Sequence, residues 1–243
     1  MLPRYRPFAA SFVIRFAIGP CNVSEPAFIK SRELFSTPLF AFEIKGADSL
    51  NRRLIKDIDA MQATESGIVR SNQHGWHSER DFFKREEASI RELGQHLLRC
   101  SAMATNKMAP SLRGEGLQIH AEGWVNVNDG GAFNTPHDHP AYLWSGVYYV
   151  KVPQKQNGRS GMIEFLDPRG ALTLNDRDRR VIGASKFRVE PKEGLLVLFP
   201  SFLVHWVYPN EKDETRISIA FNARLVPDPA KLAKAKASAE PRA

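Results

Sequence analysis

From Gln118 onward the chain is a succession of short apolar runs, each ended by glycine, proline, asparagine or aspartate. The clearest cover 123–128, 143–152, 162–166, 186–189, 195–199, 202–208 and 216–224. Runs this short, bounded by turn residues, read as strands rather than helices. Seven or eight strands cannot each bury an apolar face unless two sheets cover one another, so the pattern predicts a β-sandwich or jelly roll. Upstream the period changes. Leu50, Leu54, Ile55, Ile58 and Met61 recur at helical spacing. Ser78 with Asp81 forms a candidate capping box, and Phe83, Ile90, Leu93, Leu97 and Leu98 continue a second helix. Two helices ahead of the strands would buttress one sheet.

Residues 31–226 read as the domain. Residues 1–30 read as a loosely packed extension: 8–19 is apolar behind two arginines, but Arg15 interrupts it and no small-residue cleavage site follows. Residues 227–243 are mostly Ala, Lys and Pro with no large apolar residue after Leu232, which predicts a frayed basic tail. The net charge is +7. Part of the excess sits at the ends, in Arg4, Arg6, Arg15, Lys231, Lys234, Lys236 and Arg242. The charge therefore reads as solubility, with an anionic substrate as a weaker expectation and no nucleic-acid partner. No run is long and apolar enough to span a membrane. Two cysteines, Cys21 and Cys100, provide no disulfide framework, so a reducing cytoplasm is the expected location.

Three of the seven histidines stand out. His137 and His139 flank Asp138, and on an extended chain residues two apart point the same way. Both imidazoles can face one metal while Asp138 faces away. His205 ends an apolar run far downstream. A histidine pair plus a distant histidine, with coordination positions left open, is how non-haem Fe(II) sites are built. Arg216 and Ser218 share a face. If 205–216 is a symmetric hairpin, Arg216 lies across from His205, and its planar fork suits a carboxylate.

These features resemble the Fe(II)/2-oxoglutarate oxygenase superfamily. More narrowly, 144–150, 165–169, 194–200 and 216–222 are similar to a small group of 2OG-Fe(II) oxygenases, and the likeness reaches back to 34–40 and 75–78. It implies a double-stranded β-helix, Fe(II) held by His137, His139 and His205, and 2-oxoglutarate as co-substrate with dioxygen. The implied reaction hydroxylates a small molecule or peptide and releases succinate and CO2. Arg216 and Ser218 would hold the co-substrate, with Tyr148 and Asn126 as further cavity residues. The superfamily's usual carboxylate, two residues after the first histidine, is replaced by His139. A bulge could turn Asp138 inward, and Glu164 is a further carboxylate candidate.

Each residue has a plainer role available. His137 and His139 could belong to a surface loop, His205 could pack on Trp206, and Arg216 could be a strand-edge arginine. Only one of Tyr148 and Tyr149 can line a cavity. Asn126, Asn128 and Asn222 suit either cavity walls or strand ends, and Trp76 suits a lid or helix–sheet packing. His74, His77, His96 and His120 carry no spacing signal. Two rivals remain: a cupin-type three-histidine dioxygenase without 2-oxoglutarate, and a non-catalytic metal-containing jelly-roll binding module.

Overall fold

A computed structural model describes residues 29–30, 35–154, 158–169 and 185–231. It divides into one unit up to Ser36 and a second from Thr37 onward. Apart from Ile29 and Lys30, the predicted extension lies outside the described residues, as does the predicted tail beyond Lys231.

The second unit has the predicted jelly-roll architecture. Its elements run β1 (Phe40–Glu43), α1 (Ala47–Thr64), β2 (Asn72–Gln73), β3 (Trp76–His77), α2 (Ala88–Met108), β4 (Leu117–Asn128), β5 (Phe133–His137) and β6 (Trp144–Lys151). They continue with β7 (Ile163–Leu166), β8 (Lys186–Val189), β9 (Leu195–Pro200), β10 (His205–Val207) and β11 (Arg216–Pro227). Among the described residues these form a six-stranded sheet, ordered β1-β9-β6-β11-β4-β3, and a five-stranded sheet, ordered β2-β5-β10-β7-β8. All pairings between named strands are antiparallel.

Alternation along β9 shows why this sequence needs two layers. Leu196 and Leu198 join a core shared with Leu50, Leu54 and Ile58 of α1 and Ile90, Leu93 and Leu97 of α2. Val197 and Phe199 join a second core, with Val147, Tyr149, Ile163 and Phe165 of β6 and β7. A strand apolar on both faces is stable only when both are covered, and each such side chain contributes about 1.5–3 kcal/mol. The helices cover the outer face of the six-stranded sheet, and the five-stranded sheet covers the inner one.

Two local expectations fail. Ser78 caps no helix: its hydroxyl accepts from Val125 N–H at 3.0 Å and donates to Glu79 O at 2.9 Å, which fastens that segment to β4. Residues Phe82–Lys84 make a separate 3₁₀ turn, α2 starts at Ala88, and Leu98 is exposed. The hairpin between His205 and Arg216 does not form either. β10 pairs with β5 and β7, whereas β11 pairs with β4 and β6. The intervening segment crosses between sheets, fixed by buried Asn210, whose Nδ2 donates to Asn128 O at 3.0 Å and Glu214 O at 2.8 Å. His205 and Arg216 therefore line one cavity from opposing sheets.

Candidate metal centre and carboxylate pocket

The five-stranded sheet supplies the metal-ligand candidates. His137 ends β5 and sits directly opposite His205 of β10. His139 lies just past the strand, where its backbone N–H donates to Ser201 O at 3.0 Å. Ring centroids are 4.5 Å apart for His137–His205, 4.9 Å for His137–His139 and 5.3 Å for His139–His205. One nitrogen from each lies within 4.8 Å of the others, so the three could hold one ion. His137 Nδ1 donates to Thr135 O at 2.6 Å, and His205 Nδ1 donates to Leu203 O at 2.8 Å. A carbonyl can only accept, so both rings carry the proton on Nδ1 and keep the Nε2 lone pair free.

Burial and neighbouring histidines push His205 and His139 down to about 3, with Arg80 also acting on His139. Burial likewise lowers His137, against the pull of Thr135 O and Asp138. Three neutral imidazoles, two of them of fixed tautomer, suit a divalent transition metal, so the donor set fits iron. Asp138 is exposed and outside the trio. Glu164 fails as a carboxylate donor: it sits opposite Trp206 on the other face of β7, bound to Arg188, Lys186 and Tyr208.

The six-stranded sheet supplies the facing wall. Ser218 of β11 stands opposite Asn126 of β4 and Tyr149 of β6, so the three share a row on the inner face. All three line the cavity, as does Arg216. Arg216 is 1% exposed. Its Nη1 donates to Ser218 Oγ at 3.0 Å, and its guanidinium lies 5.2 Å from the Tyr149 ring centre. Its Nε, the Tyr149 hydroxyl and Asn126 Oδ1 make no hydrogen bond of good geometry. Among the described residues no carboxylate pairs with Arg216. Burial lowers its pKa, with Tyr149 opposing. Burial raises that of Tyr149, with Arg216 opposing. Gly161 gives the arginine room, since a Cβ there would lie 3.1 Å from Arg216 Cδ. A buried cation without its partner is unfavourable by about 3–5 kcal/mol, so this pocket is built for an anion.

Tyr148 does not belong to the pocket. It stands opposite Ile219 and turns toward the helices, where its hydroxyl donates to Asn51 Oδ1 at 2.7 Å. Tyr149 takes the cavity role instead. Trp124, Phe199, Asn134 and Ser71 also line the cavity, unmarked by any spacing signal. His77 lies close by, donating from Nδ1 to Ser78 O at 2.6 Å and stacking on Trp124 with centroids 5.7 Å apart. Trp124 in turn adjoins His139 at 5.7 Å. β3 is too short to carry a periodic signal, so nothing in the sequence marked His77. Trp76 is no lid: its Nε1 donates to Glu65 O at 2.9 Å and it packs against the helix-side core.

Residues 122–222 match the family model described as "Putative 2OG-Fe(II) oxygenase". The matched stretch contains all three histidines and the whole Arg216 pocket apart from Ser71. Over this stretch the chain is similar to that oxygenase family. The matched stretch thus carries both the three histidines that could hold one ion and the buried arginine that lines the same cavity. Its fold has solved counterparts. A Pseudomonas putida prolyl-4-hydroxylase aligns with TM-score 0.54 and 20% identity, over 78% of this chain and 93% of that one. The epimerase SnoN in complex with Fe3+, alpha ketoglutarate and nogalamycin RO aligns with TM-score 0.53 and 14% identity, over 84% and 87%. A Trichoplax adhaerens prolyl hydroxylase bound to a hypoxia inducible factor peptide fragment aligns with TM-score 0.51 and 14% identity, over 76% and 83%. At such identities the likeness is one of fold. No curated protein matches the chain by sequence. No described helix is long and apolar enough to cross a membrane.

Proposed function

We propose that the protein is an Fe(II)/2-oxoglutarate-dependent dioxygenase that hydroxylates a small-molecule or peptide substrate, releasing succinate and CO2, with 31–226 as the catalytic domain. The observation that carries this is the buried, carboxylate-free Arg216 in the same cavity as a three-histidine cluster. His137 and His205 would hold the metal through the Nε2 atoms left free by their backbone bonds, and His139 through a ring nitrogen. Three neutral imidazoles leave Fe(II) at its full double charge, which a dianionic 2-oxoglutarate neutralises. Bound there, iron with 2-oxoglutarate supplies dioxygen activation, coupling oxidative decarboxylation to insertion of oxygen into a substrate C–H bond. Arg216 and Ser218 receive the distal carboxylate, with the Tyr149 hydroxyl beside the guanidinium as a third donor. Val147, Ile163, Phe199 and Val207 wall the space between, keeping water out and strengthening each polar contact.

The test is anaerobic titration of Fe(II)-loaded protein with 2-oxoglutarate, following the chelate's charge-transfer absorbance, then succinate release on admitting oxygen. A saturable band followed by succinate is expected. Iron binding with no 2-oxoglutarate band would overturn the reading and favour a cupin-type dioxygenase.

A further inference from the structure

β11 presents Arg216, Ser218, Ala220, Asn222 and Arg224 in turn on its inner face, because alternate residues of a strand share a side. Its register with β4 is unbroken along this stretch. Ala220 stands opposite Trp124 and Val147, and Trp124 adjoins His139, so the middle of the ladder is a row that reaches the histidine trio. Toward Arg216 the ladder is closed and accounted for by 2-oxoglutarate. Toward Arg224 it repeats the same chemistry in reverse, a buried polar amide followed by a second, exposed arginine.

Asn222 is 0% exposed. Its Oδ1 accepts from Ser145 Oγ at 2.7 Å, and Ser145 lines the cavity. Its Nδ2 has no acceptor. An amide N–H buried without a partner is unfavourable, and a ligand that supplies the acceptor relieves it. Arg224 has no carboxylate partner among the described residues. Glu122, opposite Asn222, is already engaged by Arg80 at 3.3 Å, and Arg80 lies 5.4 Å from the Trp124 ring centre. Tyr142 shares this neighbourhood: burial and Glu122 raise its pKa, while Arg80 and Arg224 act against them. Two arginines, Arg80 and Arg224, share this end with one carboxylate, Glu122, so it keeps an excess cation and the free Asn222 N–H. An amine would meet repulsion there, and a neutral acceptor would leave the arginine unused.

Resting on the oxygenase reading, we infer that the substrate is a small molecule bearing a carboxylate, received by Asn222 Nδ2 and Arg224 on the side of the metal opposite Arg216. Its reacting C–H then lies over the Trp124–Ala220 row.

The experiment uses Fe(II)-loaded full-length protein with saturating 2-oxoglutarate and a panel of free L-amino acids and simple carboxylic acids, each paired with its methyl ester. Succinate release above the substrate-free rate is the readout. One or more free acids should stimulate release, and their esters should not. Arg224→Gln should raise the KM of the stimulating acid about tenfold with little change in kcat, and Asn222→Leu should do the same. The 2-oxoglutarate chelate band should persist in both variants, which shows that fold and co-substrate site are intact. Esters as effective as acids, an unmoved KM in Arg224→Gln, or a chelate band with no stimulation by any acid would each overturn the inference while sparing the oxygenase reading. Absence of the band in the parent protein would instead remove that reading, and this one with it.

Discussion

Arg216 is 1% exposed and faces the histidine trio across one cavity, so the proposed 2-oxoglutarate site turns on it. In Arg216→Ala, loss of one partner of a buried, charge-assisted pair costs about 2–5 kcal/mol. At 1.4 kcal/mol per decade, 2-oxoglutarate affinity should fall roughly 30- to several-thousand-fold while iron still binds. Arg216→Lys should recover only part, because an ammonium cannot reproduce the fork. Titrating the chelate band in both variants checks this. The paired tyrosines give a sharper contrast. Tyr149→Phe should weaken 2-oxoglutarate binding by about tenfold at unchanged stability. Tyr148→Phe should leave that binding alone and cost about 1–2 kcal/mol in urea unfolding, since it strands Asn51 Oδ1 beside the helix-side core. A reversed pattern would return the cavity role to Tyr148. At Asp138, the exposed side chain sits between two candidate ligands yet outside the trio, so Asp138→Ala should keep full iron occupancy by metal analysis.

At the scale of elements, the strands that matter most are those packed on both faces. β6 runs between β9 and β11, with Trp144 and Tyr148 turned to the helices and Val147 and Tyr149 to the cavity. Trp144 Nε1 donates to Thr105 Oγ1 of α2 at 2.9 Å, so the strand is tied to one helix and, through Tyr148, to the other. Gly146 lies between these contacts. A Cβ there would strike the Phe221 ring and come within 2.8 Å of Val197 O. Gly146→Ala should therefore destabilise the fold by about 1–3 kcal/mol, read as a lowered urea midpoint at constant slope. It should also displace Tyr149 and Val147, so 2-oxoglutarate affinity should fall with stability. β5 shows why some elements escape a sequence reading. It contains Pro136, a residue that argues against a paired strand, yet it bonds β10 and β2 at residues other than the proline.

For the whole molecule, bringing three histidines into a dry interface makes stability depend on pH. His139 and His205 are held at about 3, against an ordinary value near 6.5. Below about 6.5 the unfolded chain takes up these protons, whereas the folded apoprotein resists them until about 3. The unfolded state binds more protons across that window, so apoprotein stability should fall as pH drops through it, by at most ~1.4 kcal/mol per pH unit for each histidine. Urea unfolding of metal-free protein at several pH values checks the sign, and His205→Ala should flatten the slope. A divalent metal bound to the neutral imidazoles should raise the midpoint at neutral pH by mass action.

Local chemistry in the sequence determined the β-rich class, the two amphipathic helices and the candidate donors at His137, His139, His205, Arg216 and Ser218. Those signals survive because they depend on alternation and residue type within a few positions. What the tertiary structure decided is which of these groups meet and from which side. Tyr149 rather than Tyr148 enters the pocket because the register of β6 against β11 turns on a shift between Ile217 and Ser218. His205 and Arg216 face one another from different sheets because buried Asn210 carries the chain across the cavity instead of closing a hairpin. Glu164 turns away from the metal because Arg188 and Lys186 of the neighbouring strand neutralise it on the other face. The Asn222–Arg224 end became visible only once β4, β6 and β11 were laid side by side. Register between strands distant in sequence is set by non-local pairing, and a one-residue slip would send every one of these side chains to the opposite face.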